Sequence, residues 1–161
     1  MIRKGDILLV RNYIDPLSWI ISWFTHSKWT HACWCLSDTQ LFELRSYGLI
    51  TRPINKYYKR PYCKVKLLRL KKIKRKDIDK AIKIGLGYKK DRSYFQFFWT
   101  LLLIGCGYAR RKPVMSCSGM IANCLSKVGF YFKKGKNPLL VTPADIDNSK
   151  LIKNLTVKEL Y

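Results

Sequence analysis

Acidic side chains are scarce in this chain. Ten Asp and Glu stand against 32 Lys and Arg, for a formal charge of +22. Glu43 and Glu159 are the only glutamates, and His26 and His31 the only histidines. Acid–base chemistry therefore has few residues to draw on. No C-x-x-C pair occurs among the six cysteines, which removes the usual zinc-ribbon spacing. The most apolar segment, Tyr94 to about Gly105, falls short of the ~20 residues a membrane span needs. No internal repeat and no low-complexity segment appears, which excludes solenoids and disordered tracts. Met1-Ile2-Arg3-Lys4 is basic, but Gly5-Asp6 interrupts before a sufficient apolar region begins, so no secretory leader is expected. A reducing, cytoplasmic compartment with free thiols follows as the expectation.

The 161 residues, 48% hydrophobic and 14% aromatic, are enough for one globular domain spanning 1–161 with its own core. The charge attracts polyanions such as nucleic acid, anionic lipid or anionic cell-wall polymers, and does not choose among them. Basic clusters stand at Lys56 to Arg60, Lys71 to Lys76 and Arg110 to Lys112. A solvated loop is the plain reading of such runs. Tyr57, Tyr58 and Tyr62 interleave with Lys56, Lys59 and Arg60, a composition that can stack and clamp a single strand. No known nucleic-acid motif accompanies it.

Along the chain, Gly5-Asp6-Ile7-Leu8-Leu9-Val10 reads as a turn feeding a buried strand. Asp15-Pro16 starts a short helix, with Leu17, Ile20, Ile21 and Phe24 on its apolar face and Trp19 and Trp23 widening it. Trp29 to Leu36 and Gln40 to Tyr47 read as strands joined by Ser37-Asp38-Thr39. A three-residue loop sets residue 31 opposite 45 and 33 opposite 43. His31, Cys33, Glu43 and Arg45 then share one face, and Ala32, Trp34, Phe42 and Leu44 the core face. Gly48 to Pro53 is an edge segment, Asn55 to Arg60 a surface loop, and Tyr62 to Leu70 a further strand. Asp77 is the expected cap of a helix ending at Gly87, and Ser93 of the aromatic helix from Tyr94. Thr142-Pro143-Ala144-Asp145 carries an Asp version of the capping box, and Leu151 to Val157 is a last strand.

The stretch Met115 to Ala122 organises the chemistry. Cys117, Met120, Ile121, Cys124, Leu125 and Val128 recur at helical spacing, with Ser116 at the N-cap position and Gly129 at the C-terminal stop. Cys117 thus lies in the first turn of a half-buried helix, where free N–H groups and the dipole favour a thiolate. Plain core filling is the competing reading, since free cysteine is among the most buried residues. The remaining chain adds a base candidate, His31, and a carboxylate, Glu43, diagonal to it. A nucleophile, a base and an orienting group form the set that thiol chemistry needs. His26 lacks a strand partner and reads as a helix-end residue. Cys33, Cys35, Cys63, Cys106 and Cys124 read as core or near-core thiols; zinc at His31, Cys33, Cys35 and Cys63 is disfavoured by the C-x-C spacing. No metal site and no cofactor is expected.

These motifs in this order resemble the circularly permuted branch of the papain-like NlpC/P60 superfamily. That branch includes YiiX/YebB-like proteins, poxvirus relatives and the lecithin:retinol acyltransferase group. The matching pieces are Gly5 to Val10, Ser27-Lys28-Trp29-Thr30-His31-Ala32, Phe42-Glu43, Gly87-Tyr88, Ser116 to Ala122 and Thr142 to Ile146. The resemblance implies an α+β permuted papain-like fold, with a central antiparallel sheet packed against helices. It implies Cys117 as nucleophile, His31 as base and Glu43 as orienter of a cysteine hydrolase, an amidase or peptidase. Substrates in such relatives carry amide, ester or thioester bonds, from peptidoglycan-linked peptides to acyl lipids. Extreme basicity and the aromatic helix from Tyr94 depart from many relatives, so substrate does not carry over. The alternatives are a thiol acyltransferase or lipid ester or amide hydrolase, a non-enzymatic basic nucleic-acid binder, and an inactive scaffold of the same fold. A small basic permuted domain also fits a virion- or phage-associated protein.

Overall fold

The computed structural model describes residues 1–45, 48–88 and 115–155. Gly5 adopts φ 93°, and a Cβ there would lie 2.4 Å from Ile78, so only glycine fits. Asp6 follows, buried, accepting from Arg69 Nε and Nη2, each at 2.8 Å, and from the Arg3 N–H. This pair anchors the start of β1 (Ile7–Asn12). Ile7 and Leu9 turn to one sheet face and Leu8 and Val10 to the other, all four buried. An uninterrupted apolar run is what a strand covered on both sides requires.

Around β1 assemble β2 (His31–Cys35), β3 (Gln40–Arg45), β4 (Gly48–Pro53), β5 (Cys63–Leu70) and β6 (Ile152–Leu155). They form one six-stranded sheet in the order β4-β3-β2-β1-β5-β6. Every neighbouring pair is antiparallel. Trp34 pairs with Phe42 and Cys35 with Leu41, the register a Ser37-Asp38-Thr39 loop demands. The Leu36 N–H closes that loop on the Gln40 carbonyl at 2.9 Å.

Among the described residues, α3 (Arg75–Leu86) and α4 (Cys117–Ser126) lie over one face. Ala81, Ile82, Met120, Ile121 and Leu125 pack there with Ile7, Leu9, Trp34 and Phe42. On the opposite face, Ile54 and Tyr57 of the α2 region (α2, Asn55–Tyr58) pack with Leu8, Val10, Cys33, Cys35 and Leu67. A 3-10 turn at Pro138–Leu140 leads into α5 (Pro143–Asp147), which carries the expected Thr142/Asp145 capping box.

Several expectations need correction. Asp77 does not cap α3: the helix begins at Arg75 after an extended Lys74, and Asp77 sits within its first turn. An acid is favoured by the dipole there as well as at the cap, which is why the two positions look alike in sequence. Asn55 to Arg60 is not simply a loop, because residues 55–58 form α2 and bury Tyr57. The helix α1 (Pro16–Thr25) starts at the expected proline, yet Ser18 is buried while Trp19, Ile20 and Trp23 are exposed. The last strand ends at Leu155 among the described residues. The aromatic helix from Tyr94, Cys106 and the Arg110 to Lys112 cluster lie outside the described residues.

Candidate active site

The position of Cys117 is set by its neighbours in sequence. Ser116, in extended backbone, accepts the Gly119 N–H on its Oγ at 3.0 Å and starts α4. Ser118 is buried and donates to the Val141 carbonyl at 2.7 Å. A Cβ on Gly119 would meet the Leu139 carbonyl oxygen at 2.5 Å. Ser-Cys-Ser-Gly is therefore a docking motif as well as a cap: it presses the helix start onto residues 139–141 and leaves the Cys117 side chain half-buried.

His31 opens β2, and its approach is tied to α5. The Trp29 indole donates to Asp147 Oδ2 at 2.8 Å, and Lys66 completes the contact on Oδ1. The segment 139–147 thus holds Ser118 at one end and Trp29 at the other, one residue after the thiol and two before the imidazole.

Glu43 on β3 is fully buried and heavily bonded. His31 Nε2 donates to its Oε2 at 2.6 Å, the Tyr57 hydroxyl donates to the same oxygen at 2.6 Å, and the Cys33 thiol lies 3.3 Å from it. Arg45 Nε stands 3.2 Å from Oε2, and Arg52 Nε 3.3 Å from Oε1. Arg45 also donates to the Tyr57 oxygen. Burial alone would raise the Glu43 carboxyl; the hydrogen bond and charge of His31, with Arg45 and Tyr57, hold it well below the ordinary carboxylate range. Glu43 is ionised, so His31 Nε2 carries a proton toward it.

That leaves Nδ1 of His31 free of Glu43, and Cys117 and the imidazole shift one another's proton affinity. Burial pushes the Cys117 thiol up. The His31 charge and hydrogen bond, with the Ala32 and Ser118 backbone N–H groups, outweigh it and hold the thiol below its ordinary value. For His31, burial works against the charge, as does Arg45; the charge and hydrogen bonding of Cys117 outweigh them and raise it above the usual imidazole range. The shifts have opposite sign and favour a thiolate–imidazolium pair at neutral pH. Burial instead pushes Cys33 up to about 11 and raises Cys63, so these thiols stay protonated.

His31 and Glu43 thus come together on one sheet face, as the β2–β3 register requires, and the Cys117 thiol responds to the same imidazole. Tyr57 and Arg52 were missed as partners of Glu43. A two-residue step from Lys56-Tyr57 to a buried carboxylate leaves no periodic signal; a lone glutamate on a strand face does signal that cations must converge on it.

His31, Cys33 and Glu43 also offer ligand atoms within 4.8 Å of one another. The set does not fit a resident cation. Two guanidiniums already face Glu43, and Cys33 would have to lose a proton that burial holds on, as a thiolate ligand must.

No protein-family model matches the chain, and no curated protein does. Among solved structures, it is similar to the crystal structure of the metalloprotein YiiX from Escherichia coli O157:H7. The identity is 14% and the TM-score 0.50, over 96% of each chain. The likeness is one of fold, and it agrees with the YiiX-like resemblance of the motifs.

Proposed function

We propose that the chain is a cysteine hydrolase of amidase or peptidase type, on the permuted papain-like NlpC/P60 fold. One observation carries this reading: His31 Nε2 lies 2.6 Å from the buried Glu43, and the same imidazole holds the Cys117 thiol, at the start of α4, below its ordinary value. The chain order His31, Glu43, Cys117 supports the permuted arrangement.

In this reading the Cys117 thiolate attacks the acyl carbon, an S–C bond forms, and the carbonyl π electrons move to oxygen. The Cys117 amide, in the first turn of α4 and without an intrahelical acceptor, stabilises that oxyanion. Collapse expels the amine, which takes the proton from His31 Nδ1. A water then gives its proton to His31 and attacks the thioester, releasing the acid and restoring the thiolate. Glu43 keeps the imidazole oriented and favours its charged form. The metal of YiiX does not carry over to this chain, given the poor fit of His31, Cys33 and Glu43 as ligands.

The test is a panel of amides, esters and thioesters, with intact-mass detection of an acyl adduct. Turnover with an adduct on Cys117 is expected, abolished in Cys117→Ala and lowered about 10²–10⁴-fold in His31→Ala. Absence of turnover and of any adduct across the panel contradicts the proposal.

A further inference from the structure

The helix α1 is mounted inside out. Its small polar residues face the body. Ser18 is buried and accepts from the Thr30 hydroxyl at 3.2 Å; Ser22 donates to the Ser27 carbonyl at 2.7 Å. Three of its large apolar residues face outward: Trp19 is 68% exposed, Trp23 73% and Ile20 43%. Residues spaced 19, 20 and 23 share one helix face. Ile14, 66% exposed, and Tyr13, 43% exposed, extend the patch at the helix start. The Trp19 indole N–H donates to the Tyr13 carbonyl at 2.9 Å, which joins the two parts and satisfies the one polar atom of that ring. Burying these side chains would cost no unpaired donor at Trp19. An apolar patch of this kind on a described surface marks an interaction site.

Charge selects the partner. No acidic residue occurs between Asp15 and Asp38. Basic groups border the patch: Arg11 lies over the Tyr13 ring at 4.8 Å, Lys28 follows the helix with its side chain 64% exposed and its Nζ 3.9 Å from Asp147, and the Tyr13 N–H binds the turn that carries Arg60 and Tyr62. With a chain charge of +22, a second copy of this protein would bring like charge against like. An anionic bilayer offers the complement: an apolar interior for the tryptophans and headgroup charge for the rim. We infer that α1 is an interfacial docking helix, which seats Trp19, Ile20 and Trp23 among the acyl chains of an anionic lipid surface. This docking is separate from the Cys117 chemistry and does not depend on it.

The test uses the full chain with vesicles of phosphatidylcholine, alone or mixed with phosphatidylglycerol. Wild type should sediment with the mixed vesicles and far less with the neutral ones. Ile20→Ser combined with Trp23→Ser should lower that partitioning roughly tenfold or more, with the far-UV circular dichroism spectrum showing the fold retained. Brominated acyl chains should quench the wild-type fluorescence. In the Trp19→Phe, Trp23→Phe variant, binding should persist while the quenching falls sharply. Equal vesicle binding by the serine variant would show adsorption by charge alone and overturn the proposal. So would quenching that is unchanged in the phenylalanine variant, or concentration-dependent self-association that the serine variant abolishes.

Discussion

Glu43 carries more partners than its place in the sequence suggests. One carboxylate meets His31, Tyr57, Cys33, Arg45 and Arg52, and its burial is tolerable only because they converge. Replacing Glu43 by Gln removes the negative charge that favours the imidazolium. His31 should then lose its proton at lower pH, and Cys117, deprived of a charged neighbour, should hold its proton to higher pH. The limb on which Cys117 alkylation rises with pH should move up by about 1–2 units; above it the thiolate reacts whether or not His31 is charged. A limb that does not move, measured as alkylation rate against pH, would remove Glu43 from the site. Tyr57→Phe deletes a buried hydrogen bond to a charged oxygen and should lower stability by about 1.5–3 kcal/mol in urea unfolding. A loss under about 0.5 kcal/mol would mean that the phenol does not hold Glu43. Neither Tyr57 nor Arg52 was legible beforehand. Tyr57 looked like one of several aromatics in a basic surface run, and only the fold shows which tyrosine of the run turns inward.

At the level of elements, local signals were read well where one residue or one turn decides the structure. The Ser37-Asp38-Thr39 loop set the β2–β3 register and so brought His31 and Glu43 to one face. Thr142-Pro143-Ala144-Asp145 folds as its capping pattern requires. Signals that depend on what a helix meets were not legible. The tryptophans of α1 looked like a core face, since periodicity locates an apolar stripe without saying what covers it. The four residues of α2 are too few for any period to show. Nor could spacing reveal that residues 139–147 join Ser118 to Trp29. Gly119→Ala tests that strap. The added Cβ would meet the Leu139 oxygen at 2.5 Å, so the helix start or the strap must shift. Stability should fall by about 1–3 kcal/mol, and Cys117 alkylation should slow in step. Wild-type stability and thiol reactivity together would show that the close approach is absent.

For the whole molecule, the charge and the chemistry make separable predictions. If the +22 charge draws anionic substrates toward Cys117, the advantage of an anionic over a neutral amide should fade as salt rises through physiological strength, where the Debye length is about 8 Å. A preference that persists at high salt would place recognition in direct contacts instead. Polyanion binding, by contrast, should be untouched by Cys117→Ala and should fall steeply with log salt. Tight, Cys117-independent single-strand binding without hydrolysis of any acyl bond would make the protein a binder. Because His31, Cys33 and Glu43 fit a cation poorly, prolonged chelation should leave both the melting temperature and the Cys117 alkylation rate unchanged. A fall in either would restore the metal.

The most direct measurement of the central claim is the iodoacetamide rate at each cysteine of the folded protein across pH, in wild type and in His31→Ala. The account predicts that Cys117 reacts fastest and does so from a pH well below the ordinary thiol value. Cys63, the other partly exposed thiol among the described residues, should follow only at higher pH, as its raised value requires. In His31→Ala the Cys117 curve should move up toward the ordinary thiol range. A Cys117 curve that matches Cys63 in wild type, or that is the same with and without His31, would contradict it.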